Sequence, residues 1–377
     1  MKQLHVVMDL SIRSGGQARA TLQYAHANAI AGADVTLYVA NATNDTLEAI
    51  PVSDAFRVVF ASGLKTFHLF LCLARGAFNV VHLHGTWSPM LALASLMARA
   101  CGLPYLVSPH GCLEPWAINH RRTKKLIALE LYQKHVLCKA AMLIATAEQE
   151  LRSIRRLGIN TPVAVIPLGV DLPDASIQRI ELLAKRILFM SRIHPVKGLI
   201  ELVSAWALVR QSGWTVVIAG PDEDGHEAVV KAHIRHHCLE GDFLFAGLVA
   251  GEAKEQLFAD CDFFILPSHS ENFGMVVAEA LARSVPVITT TATPWQLLHT
   301  RGCGWWVSPD VDGLALALNQ ALKMSKPELN KMGDRGRELV SQEFAWEKIG
   351  KMALSALGWA LNKSATVPQF INVGESL

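Results

Sequence analysis

Short apolar runs of strand length recur along this chain, separated by segments long enough for a helix. This alternation narrows the folds open to it more than any other feature. In the first half the runs are residues 4–8, 35–39, 80–83, 105–107, 142–145 and 163–166; in the second they are 187–190, 215–219, 243–245, 263–266 and 287–289. They are continuously apolar rather than alternating, as suits strands covered on both faces. Helices are expected at 17–31 and 88–100, then at 198–211, 227–237, 252–259, 274–282, 312–324 and 346–362. Strand and helix in strict alternation imply a parallel, doubly wound α/β sheet. The alternation pauses over 167–184, which holds Pro167, Gly169 and Pro173. This is the expected domain boundary, and a length of 377 residues suits two domains. The polar tail after the last helix is expected to be unstructured.

Composition removes several function classes. Hydrophobic residues make up 51% and charged residues 18% of the chain, which excludes global disorder. A formal net charge of +2 argues against nucleic-acid binding driven by bulk charge. Arg75 and Arg99 interrupt the longest apolar stretches, so no membrane span is expected, and Asp9 breaks the N-terminal run that a signal peptide would need. Seven cysteines without a CxxC pair read as buried free thiols in a reducing compartment.

In doubly wound sheets, ligands bind beyond the carboxyl ends of the strands, so the strand-to-helix loops are where chemistry is expected. After the first strand, 9–16 ends in Gly15-Gly16, which allows close backbone approach to an anion at a helix start; a simple tight turn is the alternative. Ser108-Pro109-His110-Gly111 puts an imidazole at a strand end, where it is either functional or structural. Ser191-Arg192-Ile193-His194-Pro195-Val196-Lys197-Gly198 places two cations around a turn. A guanidinium fork and an ammonium together suit a diphosphate; the plainer reading is two solvated surface charges. The most specific loop is 267–279, where Glu271 and Glu279 flank Asn272, Phe273, Gly274 and Met275 at a helix start. Carboxylates on either side of an anion-binding turn can accept hydrogen bonds from two sets of sugar hydroxyls.

The pieces S-R-x4-K-G and E-N-F-G-x4-E, in this order and separation, resemble the retaining family-4 glycosyltransferases of the GT-B fold. The segments S-P-H-G-C-L-E-P-W-A, T-A-E-Q-E at Thr146, V-I-P-L-G-V-D at Val165, T-P-W at Thr293 and G-C-G-W-W-V at Gly302 add to the likeness. They resemble most the branch that builds bacterial surface polysaccharides such as O-antigen and lipopolysaccharide. The resemblance implies two Rossmann-like domains facing a central crevice. Residues 1–170 would bind acceptor, 184–345 would bind sugar nucleotide, and a final helix at about 346–364 would cross back to the first domain. It implies that Arg192 and Lys197 neutralise the donor diphosphate and that Glu279 binds ribose hydroxyls. Glu271 would bind the transferred sugar beside the N–H groups of Asn272, Phe273, Gly274 and Met275. His110 would approach the donor sugar and the reacting centre, and Gly15 and Gly16 would line the phosphate and acceptor side. Catalysis would then lie with His110, Arg192, Lys197 and Glu271. Ser191 departs from the glycine usual in the family, which puts the local turn geometry in question.

The implied reaction moves a sugar from a UDP- or GDP-linked donor to a glycan acceptor, lipid-linked, with retention at the anomeric carbon and with neither metal nor cofactor. The competing readings are a sugar-nucleotide epimerase or hydrolase, and a non-catalytic sugar-nucleotide-binding subunit. Two literal DxD sequences, Asp222-Glu223-Asp224 and Asp260-Cys261-Asp262, are weighed as metal sites and set aside, because the two cations already supply positive charge. The histidines 226, 233, 236 and 237 read as a polar helix face. The stretch 119–139 carries Arg121, Arg122, Lys124, Lys125, Lys134 and Lys139 against Glu130, beside several apolar residues. It reads either as a packed amphipathic helix or as a helix that meets an anionic membrane surface from the cytoplasmic side, with Trp116 at the interface.

Overall fold

The computed structural model describes residues 1–10, 15–41, 55–120, 122–173, 185–362 and 366–374. The chain divides into two compact units, Met1–Gly169 with Trp346–Leu377, and Val170–Ala345.

The first unit is built on parallel strands β1 (Lys2–Asp9), β2 (Asp34–Asn41), β3 (Arg57–Phe60), β4 (Val80–His84), β5 (Tyr105–Ser108), β6 (Met142–Ala145) and β7 (Val163–Val165). They lie in the order β3-β2-β1-β4-β5-β6-β7. Both faces are covered, which is why the strands read as unbroken apolar runs. On one face Leu4, Val6, Leu83, Val107 and Leu143 pack with Leu69, Leu73, Ala94 and Ala98 of the helices Lys65–Arg75 and Pro89–Ala100. On the other, Leu106, Met142 and Ile144 pack with Tyr24 of Gly15–Ile30 and with Trp346, Ile349, Ala353 and Leu357 of Trp346–Leu361. The spacing of that last stripe is the helical one. Gly350 permits close approach of the two helices, since a Cβ there would lie 2.5 Å from the Ala27 carbonyl oxygen.

The second unit has six parallel strands: β8 (Lys185–Met190), β9 (Trp214–Ala219), β10 (Phe243–Gly247), β11 (Phe263–Leu266), β12 (Val287–Thr290) and β13 (Gly304–Val307), in the order β10-β9-β8-β11-β12-β13. Each sheet winds outward from its first strand and then reverses, between β1 and β4 in one and between β8 and β11 in the other. At such a reversal, consecutive loops diverge to opposite faces and leave a crevice at the strand ends. The loops singled out above follow β1, β5, β8 and β11.

Several elements differ from the sequence expectation. The tail is not wholly irregular: Ile371–Asn372 pairs antiparallel with β7, and Ile371 is buried. The apolar residues there, Val367, Phe370, Ile371 and Val373, are too short a run among polar residues to read as a strand. The helix Lys326–Glu343 went unread although Ser325 and Glu328 form a capping box at its start. The basic stretch is not one helix. It divides into Pro115–Asn119, Arg122–Ala128, a π-helical turn Leu129–Gln133, and Lys134–Cys138. Arg121 lies outside the described residues. The cysteines are free, but of the seven just Cys261 and Cys303 are buried: Cys72, Cys101 and Cys112 are half-buried, and Cys138 and Cys238 are exposed.

Candidate active site

In the second unit, the loops after β8 and β11 leave adjacent strands and dock onto each other. The His269 N–H donates to the Val196 carbonyl at 2.8 Å. Gly198, at φ 68°, leaves no room for a side chain, because a Cβ would meet the Pro267 carbonyl oxygen at 2.1 Å. This docking brings Lys197 Nζ to 2.5 Å from Glu271 Oε1, with the two side chains only 10% and 12% exposed. Ser268 Oγ donates to the same carboxylate oxygen at 2.8 Å. The residues are 74 apart in sequence and meet only because β8 and β11 are neighbours.

Glu271 and Glu279 stand on either side of a left-handed turn at Gly274 (φ 78°), which opens the helix Met275–Ala282. Phe273 is buried against Trp295, whose Nε1 donates to the Phe273 carbonyl at 2.6 Å, so the turn is held from behind. Glu279 is buried and pairs with Lys254 Nζ at 2.8 Å. Each carboxylate thus has its own lysine. Lys254, on Gly251–Asp260, was missed because nothing in its sequence neighbourhood distinguishes it from a surface lysine. Arg192 is exposed, and its Nη1 donates to both oxygens of Glu223, at 2.7 and 2.6 Å. Ser191 fits without strain: it lies outside the left-handed region, and the close approach is taken up by Gly220, whose Cβ would lie 1.9 Å from the Ser191 carbonyl oxygen.

Three of the four DxD carboxylates have structural partners. Asp260 bonds Arg186 at 2.8 Å, Asp262 bonds Lys326 and the Arg186 N–H, and Asp222 accepts from the Glu227 N–H at the start of His226–His236. Of the four histidines on and after that helix, His226 is buried rather than surface-exposed, while His233 bonds Ser204 Oγ at 2.8 Å.

In the first unit, His110 follows β5 with φ 53°, a left-handed conformation unusual for a side-chain-bearing residue. Its backbone is held by Glu150, fully buried on the helix Glu148–Arg156. One Glu150 oxygen accepts the Gly111 N–H at 2.6 Å; the other accepts the Thr146 N–H and hydroxyl at 2.8 and 3.1 Å. Burial pushes the Glu150 pKa up, and these donors oppose the rise. The ring of His110 is held separately: its Nε2 lies 3.1 Å from His84 Nδ1. Burial keeps His110 neutral, pulling its pKa down to about 4. Gly15 and Gly16 form the first turn of Gly15–Ile30; the preceding loop, 11–14, lies outside the described residues.

Residues 176–339 match the family described as Glycosyl transferases group 1, and residues 14–173 match Glycosyltransferase Family 4. The chain belongs to the family-4 glycosyltransferases of the GT-B fold. Among relatives of this glycosyltransferase, the GDP-mannose:cellobiosyl-diphosphopolyprenol alpha-mannosyltransferase of Xanthomonas oryzae is 26% identical over 343 residues, 86% of this chain and 88% of that one. The protein of the same name from Xanthomonas campestris is 28% identical over 251 residues, 65% of each chain. Anabaena HepE, solved in complex with UDP and glucose, superposes with a TM-score of 0.75 at 18% identity, covering 95% of this chain and 99% of that one.

Proposed function

We propose that this glycosyltransferase transfers a sugar from a nucleoside-diphosphate donor to a lipid-linked glycan acceptor with retention of anomeric configuration, in bacterial surface-polysaccharide assembly. The observation that carries the reading is the constellation at the β8/β11 reversal: two cations, Arg192 and Lys197, and two carboxylates, Glu271 and Glu279, around the Gly274 turn. The Xanthomonas relatives, named for a GDP-mannose donor and a diphosphopolyprenol acceptor, support the substrate classes, and the UDP complex of HepE supports a nucleoside-diphosphate donor. The base and the sugar are read as UDP- or GDP-linked hexose.

In this reading, the diphosphate lies against the Gly274 turn, where N–H groups of Asn272, Phe273, Gly274 and Met275 favour an anion. Arg192 turns from Glu223 onto a phosphate oxygen, and Lys197 is shared between Glu271 and the leaving group. Glu279 accepts from the ribose hydroxyls and Glu271 from the transferred sugar. The departing diphosphate carries developing negative charge, and fixed cations stabilise it most where water is scarce. The acceptor hydroxyl attacks from the face the diphosphate leaves, and a phosphate oxygen takes its proton. The cations do the work that a divalent metal does elsewhere. The engagement of Asp260 and Asp262 by Arg186 and Lys326 supports a metal-independent reaction.

We also propose peripheral attachment to the cytoplasmic face of a membrane through 116–139. No helix among the described residues is long and apolar enough to cross a membrane. Trp116, Leu126, Ile127 and Leu131 are exposed, Leu131 by 76%, beside the exposed Arg122 and Lys124. Apolar side chains with adjacent cations suit an anionic lipid surface.

The test is a thermal-shift panel of UDP- and GDP-sugars, followed by turnover with and without a polyprenyl-diphosphate-linked oligosaccharide, and the product's anomeric configuration by NMR. Transfer only with acceptor, giving the donor's configuration, is expected. Hydrolysis or epimerisation without acceptor, or binding without any turnover, would overturn the reading.

A further inference from the structure

Gln3 and His5 on β1 and His82 and His84 on β4 all lie on the sheet face covered by Gly15–Ile30, because residues two apart along a strand share a face. His5 and His82 are directly opposite in the parallel register. Gln3, His5, His82 and His84 are all buried in an otherwise apolar layer. The V-V-H-L-H pattern of β4 announces two same-face imidazoles, but its meaning appears only with the neighbouring strands in place.

The contacts form an unbroken line. Gln3 Oε1 lies 2.9 Å from His5 Nε2, His5 Nδ1 lies 2.9 Å from His84 Nε2, and His84 Nδ1 lies 3.1 Å from His110 Nε2. His82 stands beside the line: its ring stacks on His84 with centroids 4.2 Å apart, and its Nε2 bonds Ser108 Oγ at 2.8 Å. Tyr24 closes the cluster edge-on to His82, at 5.4 Å. The far nitrogen of His110, Nδ1, is buried and has no hydrogen-bond partner.

A neutral imidazole has one donor and one acceptor nitrogen. The direction of such a line is therefore all-or-none. With the Gln3 carbonyl facing His5, His5 donates from Nε2 and must accept at Nδ1. His84 then donates from Nε2 and accepts at Nδ1, and His110 donates from Nε2. One tautomer remains for His110, with a bare lone pair on Nδ1. Burial supports the neutral state throughout: His5 is pulled down to about 3, and His82 and His84 lie well below the usual imidazole range.

We propose that Gln3, His5 and His84 are positioning residues that fix His110 as its Nε2–H tautomer and orient its Nδ1 to accept a hydrogen bond from a hydroxyl of the sugar substrate. This rests on the reading of His110 as a residue of the substrate site. The strained backbone at His110 and its second anchor through Glu150 fit a group held for use rather than for packing.

The trio His5, His82 and His84 also has ring nitrogens within 4.8 Å of one another, the geometry of a possible metal site among the described residues. A metal there would take lone pairs that the line uses: both nitrogens of His5 already have partners, Gln3 and His84. The two occupancies exclude each other.

The test uses the full chain labelled with 15N-histidine. Long-range 1H–15N spectra distinguish the two nitrogens, and the His110 signals are assigned by their loss in His110→Gln. Wild type should show His110 as a single Nε2–H tautomer. Gln3→Met, near-isosteric and distant from the substrate site, should give a tautomer mixture; His84→Leu should do the same. Gln3→Glu, which when ionised accepts and cannot donate, should keep the wild-type tautomer. In turnover, Gln3→Met should lower kcat at least about tenfold with donor affinity unchanged, and Gln3→Glu should restore it. An Nδ1–H tautomer or a mixture in wild type would overturn the proposal. So would a tautomer unmoved in Gln3→Met, a moved tautomer with unchanged kcat, or one equivalent of metal in the purified protein. If wild type turns over no sugar nucleotide, the glycosyltransferase reading fails by itself, and the spectra still decide the tautomer.

Discussion

Replacing Lys197 by Met removes one half of an ion pair that is almost dry. In the wild type its Nζ sits 2.5 Å from Glu271 Oε1, with 10% and 12% of the two side chains exposed. In the variant, Glu271 keeps Ser268 Oγ, at 2.8 Å, as a side-chain donor and loses its counter-charge. Breaking a buried pair by removing one partner costs about 3–5 kcal/mol, because the remaining charge is neither solvated nor neutralised. For a unit the size of Val170–Ala345, about 2–4 °C in Tm accompanies each kcal/mol, which gives a fall of roughly 6–20 °C. The pair as a whole is worth much less than that, since its mutual attraction mostly offsets its desolvation. The double variant Lys197→Met/Glu271→Gln should therefore recover much of the stability, with a coupling of about 2–3 kcal/mol between the sites. Donor binding should stay weak in both variants, separating structural rescue from functional loss. The assay is a double-mutant cycle by urea unfolding, followed by tryptophan fluorescence, with calorimetry beside it. If Lys197→Met lies within about 1 kcal/mol of wild type, or if the two single losses simply add, the pair is not buried as described and the argument falls. Had Lys197 been one of two solvated surface charges, the plainer reading of its loop, its loss would have spared the fold; its burial against Glu271 reverses that.

Arg192→Ala should behave oppositely: its pair with Glu223 is 50% and 36% exposed, so stability should change by less than about 1 kcal/mol, while donor affinity and turnover fall. The same activity should survive EDTA; a loss restored by magnesium or manganese would return Asp222 and Asp224 to consideration. The buried histidines should make stability depend on pH. His5 is held down to about 3 and His110 to about 4, whereas unfolded imidazoles titrate near about 6.5, so below that pH the unfolded chain binds more protons. Their contribution is complete above pH ~6.5 and is lost as pH falls towards 4, by up to about 1.4 kcal/mol per pH unit for each imidazole. Urea midpoints at pH 7.5, 6 and 5 check this, and a flat profile would contradict a neutral buried cluster. For the membrane surface, liposomes containing anionic lipid should co-sediment the protein at low salt and release it near 1 M, where the Debye length is about 3 Å. Reversing Arg122, Lys124 and Lys125 to Glu should abolish sedimentation and leave donor binding intact; equal sedimentation by both proteins would reject the attachment.

The order of strands and helices was legible in the sequence because a strand buried on both faces must be apolar throughout, and β6 and β11 stand where their runs begin and end. The same pattern gave the loops at the strand ends, and with them Arg192, Lys197, Glu271 and His110 as candidates, with Glu279 on the helix that follows. Edge elements were not legible, and the helix Lys326–Glu343 went unread although its buried Leu329, Gly333, Gly336 and Val340 keep a helical spacing. β3 is a partly exposed edge strand, and the π-helical turn at Leu129–Gln133 ends on the buried Gln133, whose side-chain carbonyl accepts the Trp87 N–H. What the tertiary structure alone decided are the pairings. Lys197 meets Glu271, Glu279 meets Lys254, Gly111 meets Glu150, and Gln3, His5, His84 and His110 fall into line because β1, β4 and β5 are side by side. A sequence specifies which residues can carry charge or a proton. The partner that sets their state lies many residues away and is fixed by strand order, which local patterning does not encode.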